Sequence, residues 1–368
     1  MHIVFARSST LFDDSRATKE ILALLEAGYN VTVLGWDRSG YALEKCVELF
    51  SNYNDQISLK MFSGTVGSGF IQKIVSRIAW NRWLKKEIIN IPIIDVLHAC
   101  DYDTGVAVRK IATSKKIKFV YDIYDYYIDA HPVPAVLKRV IENGENRIIN
   151  DSEVTIICTE ERRLQISKAH PKKVVVIYNS PDVDDFDECE EKYDYVYCGS
   201  LYDGRLINEL LDEFHQYHHF KLIFAGYGVY EEKAIELARE YDTFDYLGSI
   251  PYSEVLNIEK ESKVISAIYN PTLRNHQLCA PNKFYEALAL GKPVIVCGGT
   301  GIDKIVLAEN IGCVINYDVS EFYKALDYLT THVEIRKEMG QRARKIYESE
   351  YRWSLMKKKL ISEYELLK

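Results

Sequence analysis

Long apolar runs are missing from this chain, and so is any surplus of positive charge. Its 368 residues carry 46 Lys and Arg against 54 Asp and Glu, for a net charge of −8 and a pI near 5.7. That balance speaks against a nucleic-acid partner, because a phosphate backbone demands a clear cationic excess. Any basic patch must therefore be local. The opening segment Met1-His2-Ile3-Val4-Phe5-Ala6-Arg7 has no long apolar stretch after its basic residue. It reads as a first β-strand, with neither a secretory signal nor a membrane span expected there. Paired redox or metal cysteines are also lacking. The eight cysteines, at 46, 100, 158, 189, 198, 279, 297 and 313, include no C-x-x-C and no histidine at ligand spacing. Reduced, buried thiols in a cytoplasmic protein fit this usage, and no metal or cofactor is expected.

What is present is ample core material. Hydrophobic residues make up 47% of the chain and charged ones 27%, enough for two soluble domains. Strand-like runs alternate with helical patterns throughout, which predicts α/β architecture with parallel sheets built from right-handed crossovers. In the first half strands are expected at 2–6, 30–35, 57–62, 94–98, 117–123, 153–158 and 174–178, with helices such as 15–27, 104–114, 133–150 and 160–168. A turn dipeptide and an acidic run over Tyr178–Glu188 then read as a linker. The same grammar restarts with strands at 193–198, 220–225, 244–247, 263–269, 293–297 and 312–316, and only helices follow Ser320. The expected organisation is two Rossmann-like doubly wound domains, 1–185 and 190–350, facing across a cleft, with a basic and aromatic closing segment at 351–368. Ligands of such folds bind at the carboxyl ends of the strands.

The segment Pro281-Asn282-Lys283-Phe284-Tyr285-Glu286 leads a short helix, expected over 281–290, into a buried strand. Proline suits the first helical position and Gly291 the residue past the end. Asn282 and Glu286 lie four apart on one face, behind a helix start that favours an anion. Taken alone, such a helix is more often a solvated amphipathic face. Three glycine-rich turns supply context: Cys198-Gly199-Ser200 through Arg205, Ala225-Gly226-Tyr227-Gly228, and Cys297-Gly298-Gly299-Thr300-Gly301. Glycine lets backbone N–H groups approach a diphosphate, and an arginine nearby neutralises it.

On these residues the chain resembles the family 4 retaining glycosyltransferases of the GT-B fold, also called glycosyl transferases group 1. The resemblance is strongest at Tyr197–Arg205, at Leu222–Gly228, and from Tyr269-Asn270-Pro271 to Pro293-Val294-Ile295. It extends to Ile177-Tyr178-Asn179-Ser180, to Asp14-Ser15-Arg16, and to Arg352-Trp353 in a terminal helix that crosses back to the first domain. It implies a nucleotide-sugar donor whose diphosphate meets Arg205 and Lys283 and whose ribose meets Glu286. Backbone at Gly248, Ser249 and Ile250 would read the base, and Ser200, Gly226, Gly228, Asn270 and Asn282 complete the donor side. On the acceptor side it implies Asp14, Arg16, Asp101 and Tyr124, with His98 and Asp125 as catalytic candidates beside Arg205 and Lys283. His98 and the acids also read as caps of neighbouring helices. Two departures stand out. Leu278 occupies the place of a second glutamate, and Ser200 that of an arginine. Tyr124 stands where the family usually has histidine, and retaining enzymes of this class let the departing phosphate take the acceptor's proton.

A local basic stretch remains. Over 70–86, Ile71, Ile74, Val75 and Ile78 form a helical stripe expected to be core, while Trp80 and Trp83 fall off it among five cations. Basic helices bearing tryptophan lie on anionic membranes, so peripheral contact with the inner face of a membrane is expected through this stretch. The favoured function is sugar transfer to a glycan or lipid-linked acceptor in bacterial surface polysaccharide synthesis. Two alternatives are a non-hydrolysing nucleotide-sugar epimerase and a catalytically silent nucleotide-sugar-binding partner protein.

Overall fold

The computed structural model describes residues 1–64, 70–183 and 189–368. The acidic run Asp184–Glu188 of the expected linker lies outside the described residues, as do the side chains of Phe70, Ile71 and Lys73. The chain divides into two compact units, Met1–Ile177 with Lys357–Lys368, and Tyr178–Met356. The division thus falls at Tyr178, ahead of the expected boundary at 185, and only from Lys357 onward does the closing segment belong with the first unit.

Val, Ile, Leu and aromatic residues run almost unbroken through the strands, as parallel sheets covered on both faces require. In the first unit these are β1 (His2–Ala6), β2 (Asn30–Asp37), β3 (Ile57–Ser63), β4 (Val96–Cys100), β5 (Lys118–Ile123), β6 (Val154–Ile157) and β7 (Val174–Val176). They form one sheet in the order β3-β2-β1-β4-β5-β6-β7, every neighbouring pair parallel. The second unit has β8 (Tyr193–Cys198), β9 (Leu222–Ala225), β10 (Phe244–Tyr246), β11 (Ser262–Ala267), β12 (Val294–Cys297) and β13 (Gly312–Ile315). Their order is β10-β9-β8-β11-β12-β13, again all parallel. Each sheet reverses its direction of growth once, between β1 and β4 and between β8 and β11. Such a switch point opens a crevice at the carboxyl ends of its strands.

The helix carrying Lys283 spans Asn282–Ala289, with Pro281 at the N-cap rather than in the first turn. Gly291 follows it at φ +61°. Expected helix 160–168 is instead a single 3₁₀ segment, Glu160–Leu164. There Arg163 pairs with Glu160 three residues back, the spacing that a three-residue turn brings into line.

The basic stretch forms one helix, Phe70–Ile89, and its faces are the reverse of those expected. Trp80, Leu84 and Ile88, four residues apart, are wholly buried. Trp80 stacks on Trp36 at 5.5 Å and on Trp83 at 5.4 Å. Ile74, Val75 and Ile78 of the expected core stripe are exposed by 41%, 58% and 46%. Indole rings bury more apolar area than isoleucine, so the stripe that carries Trp80 wins the sheet.

Register makes one glycine indispensable. Gly312 pairs with Val294 across β12 and β13, and a Cβ at this position would lie 1.9 Å from the Val294 carbonyl oxygen. Gly28, by contrast, has φ +79° and open space around it. We expect Gly312→Ala to cost about 3 kcal/mol or more, and Gly28→Ala about 1 kcal/mol. Urea unfolding of the two variants checks this; equal losses would show that strand contact is not what requires Gly312.

Candidate functional site

In the second unit the turns after β8 and β9 touch backbone to backbone. Gly226 has φ +142°, and a Cβ on it would sit 1.7 Å from the Gly199 oxygen; one on Gly228 would sit 2.3 Å from the Leu201 oxygen. The Gly199 N–H donates to Ala225 O at 2.8 Å and that of Gly226 to Gly248 O at 2.7 Å. These two N–H groups are therefore spent on neighbouring turns rather than offered to a diphosphate, which corrects the sequence expectation. Their glycines serve close packing of parallel-strand ends.

Side chains provide the positive charge instead. Lys283 is half-buried with Nζ 4.8 Å from the Tyr197 ring centre, and it reaches so near Gly199 that a Cβ there would meet Nζ at 2.5 Å. Arg205, also half-buried, lies 5.5 Å from the Tyr269 ring centre. Among the described residues neither cation has an ion-pair partner. Tyr197 fixes the turn between them by donating to Ser200 O at 2.9 Å. Asn270 braces the Arg205 loop: its N–H donates to Gly204 O at 2.9 Å, and its side-chain oxygen accepts from Thr272 N and Oγ1. Its amide oxygen is thus engaged locally.

Glu286 is 2% exposed and accepts a hydrogen bond from the Tyr252 hydroxyl at 2.9 Å. Glu259 is wholly buried, and neither of its oxygens has a partner among the described residues. Burial first, and then the charge of Glu286, raise its carboxyl well above the usual range. Tyr252 and Glu259 belong to this site and were missed in the sequence. Their spacing of seven on the helix Tyr252–Lys260 places both on one face, and that was the readable signal. Asn282 is exposed and Ile250 half-buried, while Leu278 is 5% exposed.

In the first unit the structure gathers Asp14, Asp101 and Tyr124 around Arg7, a residue not singled out in the sequence although it directly follows β1. Arg7 donates to Asp14 at 2.8 Å and to Asp101, and stacks 3.9 Å from the Tyr124 ring centre. Asp14 also caps the helix Ser15–Glu26, accepting from Ala17 N. Asp101 holds φ +62° while its carboxylate accepts from Tyr124 N at 2.9 Å and Asp125 N at 3.2 Å. A non-glycine residue in this region stores backbone strain, offset here by the bonds it makes. Burial pushes Asp101 up to about 6, against the pull of Arg7.

Arg16 reaches this group only at Tyr124, its guanidinium carbon 4.8 Å from the ring centre, and with His98 it belongs to a buried polar cluster. Arg16 pairs with Asp122 at 2.9 Å and Glu20 at 3.1 Å, and also donates to Ile177 O at 2.6 Å. His98 is wholly buried; its Nδ1 meets the Tyr364 hydroxyl at 2.5 Å, its ring stacks on Phe5, and burial lowers its pKa. It neither caps a helix nor reaches a surface, so its catalytic candidacy is corrected: it is a core histidine. His98, Cys100 and Asp122 approach within 4.8 Å of one another, but Asp122 is already matched by Arg16. Asp125 points elsewhere and pairs with Arg162 at 3.0 Å.

The described residues include no helix long and apolar enough to cross a membrane. All eight cysteines are free thiols.

Two parallel sheets of this order, each with a switch point, define the GT-B fold, and solved structures bear that out. Sucrose-phosphate synthase from Thermosynechococcus elongatus superposes with a TM-score of 0.74 at 13% identity, covering 100% of this chain and 99% of its own. HepE from Anabaena, in complex with UDP and glucose, gives 0.71 at 13% identity with 99% of both chains covered. TarM from S. aureus, in complex with Fondaparinux, alpha-GlcNAc-glycerol and UDP, gives 0.66 at 11% identity over 98% and 99%. No curated protein sequence matches. The family model described as glycosyl transferase-like matches residues 205–361. That match covers less than half of the chain, and the fold shared with these structures is GT-B.

The loop that carries Tyr124 to Tyr127 rests on Glu145, which accepts from the Tyr121 hydroxyl at 2.9 Å and Tyr127 N at 3.3 Å. Burial raises its carboxyl to about 8. Between its ordinary value of 4.5 and 8, the folded chain holds a proton that the unfolded chain releases, so stability falls as pH rises across that window. Glu145→Gln is expected to flatten this slope; urea midpoints measured from pH 5 to 9 with wild-type slope retained would assign it to another group.

Proposed function

We propose that the chain transfers a sugar, with retention of configuration, from a nucleoside-diphosphate donor to a glycan or lipid-linked acceptor. The observation that carries this reading is the pair Arg205 and Lys283, two half-buried cations without an ion-pair partner among the described residues, beside the buried Glu286. Half-buried cations favour a mobile anion when no carboxylate neutralises them. A diphosphate meets both, with Glu286 on the ribose hydroxyls and backbone at Gly248–Ile250 at the base. Support comes from HepE and TarM, whose complexes contain UDP.

In the transfer, the bond from the sugar's anomeric carbon to the diphosphate oxygen breaks while the acceptor oxygen bonds the same carbon on the same face. The acceptor's proton passes to the departing phosphate oxygen. Arg205 and Lys283 stabilise the charge that develops there. No side-chain base is called for, in keeping with a buried His98, an Asp125 paired to Arg162 and Tyr124 in place of a histidine. The setting in bacterial surface polysaccharide synthesis rests on the family resemblance.

A second reading, a nucleotide-sugar-binding partner without turnover, is favoured by one observation: Leu278, where a glutamate often stands, is packed apolar core. Transfer and hydrolysis assays across a panel of UDP-, GDP- and dTDP-sugars separate the two. Tight nucleotide binding without turnover on any donor supports the second reading. Arg205→Ala and Glu286→Ala are each expected to weaken nucleotide binding by about 1–3 kcal/mol. Calorimetry giving wild-type affinity for both would falsify the site assignment.

Peripheral membrane contact is proposed with altered residues. The helix Phe70–Ile89 exposes Ile74, Val75 and Ile78 beside Arg82 and Lys86, so these would meet an anionic surface while Trp80 stays inside. Co-sedimentation with phosphatidylglycerol vesicles is expected to drop in the Arg82→Gln/Lys86→Gln variant; undiminished binding would remove this helix from consideration.

A further inference from the structure

The second unit contains a cavity of about 700 Å³ away from the donor residues, at the amino-terminal end of β12, where Gly291, Lys292 and Pro293 contribute to its wall. Arg205, Lys283 and the glycine turns belong to the opposite, carboxyl ends of the strands. In a chain of net charge −8, this cavity is cationic: Lys260, Lys292, Arg336, Lys337, Arg344 and Lys345 line it, against Glu191 and Glu348.

Its charges are not balanced. Lys292 and Arg336 are each 6% exposed, and both pair with the single carboxylate of Glu191, at 3.1 Å and 2.8 Å. One of these two buried positive charges has no counter-charge, and the Arg336 Nε has no hydrogen-bond partner among the described residues. Arg336 also donates to Leu329 O at 3.1 Å and Thr330 O at 3.2 Å, which satisfies the guanidinium in part but supplies no counter-charge, so the arrangement favours an anion. Arg344 is held in place by Glu348 at 2.7 Å and by Ala289 O at 2.6 Å. Lys260, Lys337 and Lys345 make no ion pair among the described residues.

The floor is rigid. A Cβ on Gly340 would lie 2.1 Å from the Gly291 oxygen, so the helix Val333–Ile346 comes to backbone contact with the turn before β12. Small-molecule sites occupy roughly 300–1,000 Å³, and this cavity falls in that range. We propose that it is a second anion site, which takes a small soluble molecule bearing a diphosphate or phosphate ester and is separate from the donor site.

Calorimetry with inorganic pyrophosphate on the full-length Arg205→Gln/Lys283→Gln variant tests this without the donor cations. One saturable site is expected, and the same site should appear in wild-type protein already saturated with UDP. Adding Lys260→Gln, Lys337→Gln and Lys345→Gln should weaken it at least tenfold, with the urea midpoint unchanged. Absence of a saturable site at millimolar pyrophosphate in both backgrounds, or an affinity unmoved by the three neutralisations, overturns the proposal. The donor reading stands or falls separately, on whether Arg205→Gln/Lys283→Gln loses UDP.

Discussion

The contact of Gly226 with the Gly199 carbonyl governs the second unit. Two adjacent parallel strands can end in turns that touch backbone to backbone only where no Cβ intervenes, and Gly226 would place one 1.7 Å from that oxygen. Lys283 lies against this platform, and Arg205 on the loop that continues from it. Lys283 reaches over Gly199, while Tyr197 ties the turn at Ser200 and Asn270 ties the loop at Gly204. The positive charge is delivered by side chains because the backbone is occupied in making the platform.

The first unit solves a different electrostatic problem. Arg7 and Arg16 flank the Tyr124 ring, at 3.9 Å and 4.8 Å from its centre, yet their counter-charges differ. Arg16 is matched by Glu20 and Asp122 inside the core, whereas Arg7 is matched by Asp14 and Asp101 at the strand ends. Breaking a buried pair by removing one partner leaves an uncompensated charge. The Arg16 cluster therefore holds the core, and the Arg7 cluster shapes the rim above it. The strained Asp101 backbone lies in the latter, where its carboxylate collects the N–H groups of the next loop.

Much of the strand pattern was legible because buried parallel strands need apolar runs, and such runs are short enough to be bounded by glycine and charge. The Asn282–Ala289 helix was legible from Pro281 and Gly291 for the same local reason. What escaped was anything decided across elements. Which helical stripe of Phe70–Ile89 faces inward depends on Trp36, in a distant strand. The use of the Gly199 and Gly226 N–H groups depends on the pairing of β9 with β8 and with β10, which no local pattern reveals. His98 looked available because it ends an apolar run, but the run extends to Cys100 and Tyr364 closes over it. Glu259 was passed over because a glutamate on a polar helix reads as solvated, and only the neighbouring Glu286 makes it part of the site.

The stacked tryptophans carry a practical consequence. Trp36, Trp80 and Trp83 form one cluster in the first unit, and the remaining tryptophan, Trp353, belongs to the second. Intrinsic emission from this protein is therefore weighted toward one half of the chain, with energy migration among three neighbouring indoles. Loss of order in the second unit would reach the tryptophan emission only through Trp353.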